Sequence, residues 1–426
     1  MQTTRARKSA AWIIPACYAA VALAAGLTFP RVEPLLFPGL VSPVSASNAA
    51  AIYAAIASGM LALTGIVFSL VLVMVQFSAT AYSPRLVTWV VRDPVLSHAL
   101  GVFTAIFLYA IAALAGVDRN GSGRVPMVSL WVVVVLLVWS VAMFIRLVQQ
   151  IGGLQISHVL MFTGAEGRKA IERVYPPATS AVTATGADNP PTGARTRTLM
   201  HQGSPGSIQS VDAAALVTLA RASGGVIEVV VAVGDAVVEP MPLLHVLGAR
   251  QPLDESALRR GMDIGTERAF EDDPAYAIRL LVDIAIRALS PAINDPTTAV
   301  QALDQIEDLL IRLGGRDLER GVVRDSDGVV RLTRPCPAWD DFLRLALAEI
   351  CACGATSVQI MRRLNALLAD VARAVPDARR PALAYWESRV AATIARSFAD
   401  GEERLEASMA DRQGLGVPLG RWHGHS

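Results

Sequence analysis

Lysine is almost missing from this chain. Lys8 and Lys169 are the only two. Beyond Lys169, every chemistry that needs an ammonium group is excluded. There is no phosphate-binding loop of the G-x-x-x-x-G-K type and no lysine to form a Schiff base. Cysteine is scarce too: Cys17, Cys336, Cys351 and Cys353 are all there are. Cys351 and Cys353 stand two apart on a helical pattern, so they face apart. No second Cys or His pair stands at zinc spacing. They read as structural thiols in a reducing cytosol, and no metal or other cofactor is expected. His423 and His425 fall in a polar tail. Aromatics make up only 6% and the net charge is +1. Neither a stacking platform nor a basic field for nucleic acid is present.

Charge is also sparse, at 18% against 53% hydrophobic residues, and the apolar residues are clustered. From Ala49 to Phe77 the only ionisable residue is Tyr53. A bilayer span takes roughly 20 apolar residues, so this stretch crosses one. Ser58, Ala62, Gly65 and Ser69 recur at spacings of four, three and four, and Gln76 lies two turns further along the same face. Such a stripe lets another helix approach closely or lines a narrow path.

Four spans are expected, at about 11–29, 49–77, 98–117 and 127–146. The first follows Arg5, Arg7 and Lys8 and is read as a retained helix rather than a cleaved signal. Pro30 to Asn48 reads as an external loop. Arg85, Arg92 and Arg146 add to the basic N-terminus, which places both termini on the cytoplasmic side by the positive-inside rule. No span carries Asp, Glu, Lys or Arg at its centre. Ion-coupled carriers usually bury such groups, so the pattern favours a passive pore, a scaffold or a sensor over active transport.

Six segments are expected: 1–148 membrane, 149–204 helix and linker, 205–250 β-rich, 251–337 a helical pair with a hairpin, 338–412 helices, and 413–426 a tail. The linker is the Pro- and Thr-rich run Pro176 to Ser204. Val226 to Val233 reads as a strand and Gly234-Asp235 as a turn. This short run is similar to biotinyl and lipoyl carrier domains, but it has no lysine to carry a cofactor; a plain hairpin fits equally. Asp273-Pro274 and Asp295-Pro296 each read as an N-cap followed by Pro at the first helical position. Between them, Arg279, Asp283 and Arg287 form a ladder of opposite charges. Asp283, Ser290, Asn294 and Asp295 are the residues able to hold a metal or anion, against the simpler reading of caps and an ion pair. Ser290, His245 and Asp283 have no motif that supports a hydrolytic triad. Val322 to Leu332 reads as a hairpin. Phe342 to Cys353, Val358 to Val375 and Pro381 to about Met409 read as helices.

Ser69, Gln76, Ser83, Pro84, Arg85 and Asp93 in the membrane half, with Asp283, Ala288, Leu289, Ser290, Pro291, Asn294, Asp295 and Pro296 beyond it, carry a resemblance. The chain resembles a bacterial family of membrane proteins, domain of unknown function 2254, over about Ala11 to Leu367. The resemblance implies architecture and no activity. The expected fold is thus four transmembrane helices, then a cytoplasmic α+β domain with a small β unit and a long-helix C-terminal region. The expected function is not enzymatic. It is an inner-membrane homo-oligomer forming a channel-like pore, its ion or small-molecule ligand unidentified. The competing reading is a membrane-anchored receptor or scaffold, and a membrane-bound enzyme is a third.

Overall fold

A computed structural model describes residues 10–37, 43–81, 94–117, 125–152, 156–177 and 193–416. Ser83, Pro84, Arg85 and Asp93 lie outside the described residues, as do the turn expected at 118–124, residues 178–192 of the linker, and the tail with His423 and His425. The chain divides into two compact units, Met1–Gln155 and Ile156–Ser426.

Among the described residues, the first unit holds four helices: α1 (Ala10–Leu36), α2 (Ala46–Ala81), α3 (Pro94–Leu114) and α4 (Met127–Gly152). All four are long and apolar enough to cross a membrane. Helix α3 lies at the centre, packed against α1, α2 and α4. Its Val102, Phe103, Ile106, Tyr109 and Ala110 are buried. Small residues bring α1 in close. A Cβ at Gly26 would stand 2.7 Å from Ala112 Cβ and 2.9 Å from the Tyr109 carbonyl. The Tyr109 hydroxyl lies 2.9 Å from Ser129 Oγ, which ties α3 to α4.

Helix α1 does not stop at Pro30, where the sequence reading began a loop. It continues to Leu36. The reason is Glu33, which is buried and accepts from the backbone N–H of Val128 at 2.7 Å and of Ser129 at 3.1 Å. These are orphan donors at the start of α4. A carboxylate there satisfies them and offsets its own desolvation.

The second unit begins with α5 (Ile156–Val174), followed by β1 (Arg195–Met200), β2 (Gly206–Val211), α6 (Ala213–Ser223), β3 (Val226–Val229), β4 (Ala236–Val237) and β5 (Pro242–Leu247). Then come α7 (Glu255–Arg260), β6 (Met262–Gly265), α8 (Pro274–Ala288), α9 (Pro296–Gly314), β7 (Val322–Arg324) and β8 (Val330–Thr333). The last helices are α10 (Trp339–Cys353), α11 (Val358–Ala374), α12 (Arg380–Ser397) and α13 (Gly401–Ser408). One sheet has the order β1-β5-β3-β8-β7 and the other β4-β2-β6. Leu199, Ile208, Leu216, Ile227 and Leu332 share a core with α6.

Three expectations are corrected here. Residues 195–200, expected in a linker, form an edge strand on β5. Only Leu199 of that strand reaches the core while Arg197 bonds Glu255, so the alternation that marks a strand is faint. The strands flanking Gly234-Asp235 do not form a hairpin. Gly234, at φ +91°, turns the chain from β3 in the larger sheet to β4 in the smaller. The inserted helix α6 and the parallel β3–β8 pair also depart from a carrier fold. The last helix breaks in two at Phe398 because Asp400 accepts from the Glu402 N–H at 3.2 Å and caps α13.

Helices α5, α8 and α9 pack together, with α10 on α8 and α11 on α9. Gly167 allows this. A Cβ there would stand 2.9 Å from both Ala277 Cβ and a Leu309 methyl.

Candidate functional site

On α2, one face is buried in the protomer and the opposite face is exposed. Ala49, Tyr53, Ala57, Met60 and Val67 are buried. Ser58, Ala62, Gly65, Ser69 and Gln76 point roughly the opposite way and are exposed. The Ser58 hydroxyl donates within its own helix, to Ala55 O at 3.1 Å. Nothing stands within 4 Å of the position a Cβ would take at Gly59 or Gly65. Exposed Leu61, Ile66, Leu72 and Val73 flank the stripe. A narrow band of small and polar residues is thus framed by apolar side chains suited to lipid.

The second unit carries a cavity of about 260 Å³. The end of α5 supplies Arg173 and Tyr175, and the segment entering α8 supplies Asp272 and Asp273. Arg320 and Arg334 come from either side of the β7–β8 hairpin, with Cys336 just beyond. Val211, Val231, Val233 and Phe342 make the apolar wall.

The charges in it are unevenly satisfied. Asp273 is committed: it accepts from Arg268 at 2.6 Å and from the Tyr276 N–H at 3.1 Å as the cap of α8. Burial nonetheless pushes its carboxyl up, against the pull of Arg268. Asp272 is also pushed up by burial, with Arg173 and Arg334 opposing. Burial raises the Cys336 thiol, so it is held away from the reactive thiolate form. Arg173 donates to Glu271 O at 3.2 Å, and Arg334 Nε to Arg320 O at 3.3 Å. No single motif announces this cavity in the sequence. Its charged residues alone come from four separate stretches, and an isolated Arg is an unremarkable surface residue.

The model of the family described as "Predicted membrane protein (DUF2254)" matches residues 8–370. The chain belongs to the DUF2254 family. An uncharacterised protein of Mycobacterium tuberculosis (strain H37Rv) is 28% identical over 411 residues, covering 93% of this chain and 78% of its own length. An uncharacterised protein of Mycobacterium bovis is similar to the same extent. No solved structure matches the chain.

Of the residues matched to DUF2254, those from Ala288 to Pro296 form the turn between α8 and α9, while Asp283 lies within α8. Asp295 caps α9, accepting from the Thr298 N–H at 3.1 Å and the Thr298 hydroxyl at 2.6 Å. Its own N–H donates to Ala288 O at 2.8 Å, which closes the turn on the end of α8. Asn294 sits at φ +49°, a left-handed conformation that Asn tolerates better than most residues. The Asn294 N–H donates to Ser290 O at 2.9 Å. Asp283 accepts from Arg279 Nε at 2.7 Å, and Arg279 also bonds Glu349 of α10. The charge ladder therefore clamps α8 to α10, a link that spacing along one helix could not reveal. Among the described residues, no group of three or more His, Cys, Asp or Glu is gathered to hold a metal ion.

Proposed function

We propose that this DUF2254 protein is a homo-oligomer of the bacterial inner membrane, assembled through the outward face of α2 around a channel-like path. The second unit acts as a cytoplasmic regulatory domain, and the role is not enzymatic. One observation carries the reading: Ser58, Ala62, Gly65 and Ser69 face away from their own protomer, with open space at Gly65. Lipid offers neither hydrogen bonds nor a reason for small side chains, whereas a neighbouring helix or water offers both.

Two experiments test this reading. Cysteines placed at Ser58 and Ala62, in a chain whose Cys17 is replaced, should cross-link between protomers in membranes. Gly65→Leu should lower the oligomeric state seen by native mass spectrometry. A monomer in every detergent and in bilayers would reject the assembly. Given assembly, Ser69→Leu and Gln76→Leu should reduce current in bilayer recordings. Silence across voltage, tension and ligands would reject the pore alone.

The second reading is a membrane-anchored receptor, and the arginine-lined cavity favours it. It predicts a ligand response without current.

A further inference from the structure

Beyond assembly in the membrane, we infer that the cavity of the second unit is a binding site for a small organic oxyanion. Its charged head sits between Arg173 and Arg334, and its short apolar body lies against Val211, Val231 and Val233.

The argument begins with charge. Among the described residues, Arg173 and Arg334 form no ion pair. The nearby Arg168, Arg268 and Arg320 each have one, with Asp308, Asp273 and Asp317. Arg173 donates to one backbone carbonyl, and Arg334 donates to another and to the Cys336 sulfur. A guanidinium has five N–H donors in a planar fork, so most remain to be used. Asp272 lies near both and is the one carboxylate of the lining not consumed by a salt bridge, since Asp273 belongs to Arg268. Its burial disfavours the charged form, against the pull of Arg173 and Arg334. Glu271 adds to the effect of burial. The start of α8 is already capped by Asp273, so no anion is assigned to it. What remains is two guanidinium groups with spare N–H donors and one carboxylate lining the same cavity.

Shape sets the rest. Carboxylates and phosphates match the guanidinium fork and are bound bidentately. The lining also includes the β-branched Val211, Val231 and Val233, which suit a hydrocarbon body. The volume of about 260 Å³ falls just under the usual range for ligand pockets, about 300–1,000 Å³. A small organic anion fits this volume. Cys336 takes no covalent part, being held as the thiol.

The test uses the full-length protein in detergent at fixed ionic strength. Calorimetry is run with phenyl phosphate, benzoate and neutral phenol. At least one of the two anions should bind saturably, with one site per chain, and phenol should not. Which anion binds separates a phosphate head from a carboxylate head. Arg173→Gln and Arg334→Gln should each weaken binding by about tenfold or more, the cost of losing a charge-assisted contact. Asp272→Asn should tighten it. Val233→Phe fills the apolar end without changing charge, and it should weaken binding with the ligand-free melting temperature near that of the wild type. It also decides the matter if an arginine variant fails to fold. The site is overturned if neither anion binds saturably, if phenol binds as well as they do, or if folded arginine and Val233 variants bind like the wild type.

Discussion

Asp295 shows how much one side chain can organise. Its carboxylate caps α9 and holds the Thr298 hydroxyl, and its backbone fastens the turn to α8. Asp295→Ala should cost about 1 kcal/mol, the usual worth of an N-cap. A lowered melting temperature with an unchanged oligomeric state would show this; loss of a stoichiometric metal would show a ligand role instead. Glu349 gives a second prediction, in pH. Its hydrogen bond from Arg279 holds its carboxyl below the usual glutamate value. Such a group adds stability that is present above its unfolded value and is lost as pH falls through the folded one. Glu349 is half exposed, so the gain is small, about 0.5 kcal/mol after screening. Melting curves should separate wild type from Glu349→Gln at neutral pH and converge as the solution is acidified below the ordinary glutamate range.

At the scale of elements, the close contact of α5 with α8 and α9 rests on Gly167. A larger residue there meets Ala277 and Leu309 at once. Gly167→Leu should overpack that junction and destabilise the second unit by about 1–3 kcal/mol, read as a lower denaturation midpoint. Elsewhere charged side chains join helices. Arg363 of α11, itself buried, bonds Asp304 at 2.9 Å and Glu307 at 2.6 Å on α9. Glu33 does similar work in the membrane unit, where the end of α1 completes the start of α4.

For the whole molecule, orientation is the property that most directly limits function. We propose that four crossings put the two termini on the same side and that the basic flanks make that side cytoplasmic. Reporter fusions at Gly121, between α3 and α4, and at the C-terminus should therefore report opposite sides of the membrane. The same side for both would overturn the proposed topology.

The sequence by itself determined the four spans and the caps at Asp273 and Asp295. It also determined the hairpin at 322–332 and membership of a membrane family. Each of these signals is local. An apolar run must leave water wherever it folds, and an Asp-Pro step starts a helix through its own backbone geometry. The tertiary structure decided what depends on distant partners. It alone showed that Glu33 extends α1, that 195–200 is a strand, and that the strands beside Gly234 enter different sheets. It alone tied Arg279 to Glu349 and gathered Arg173, Asp272 and Arg334 around one cavity. Those arrangements join residues tens to more than a hundred positions apart. Pairing and burial arise only when the chain folds back on itself, and no periodicity along the sequence encodes which partner will be met.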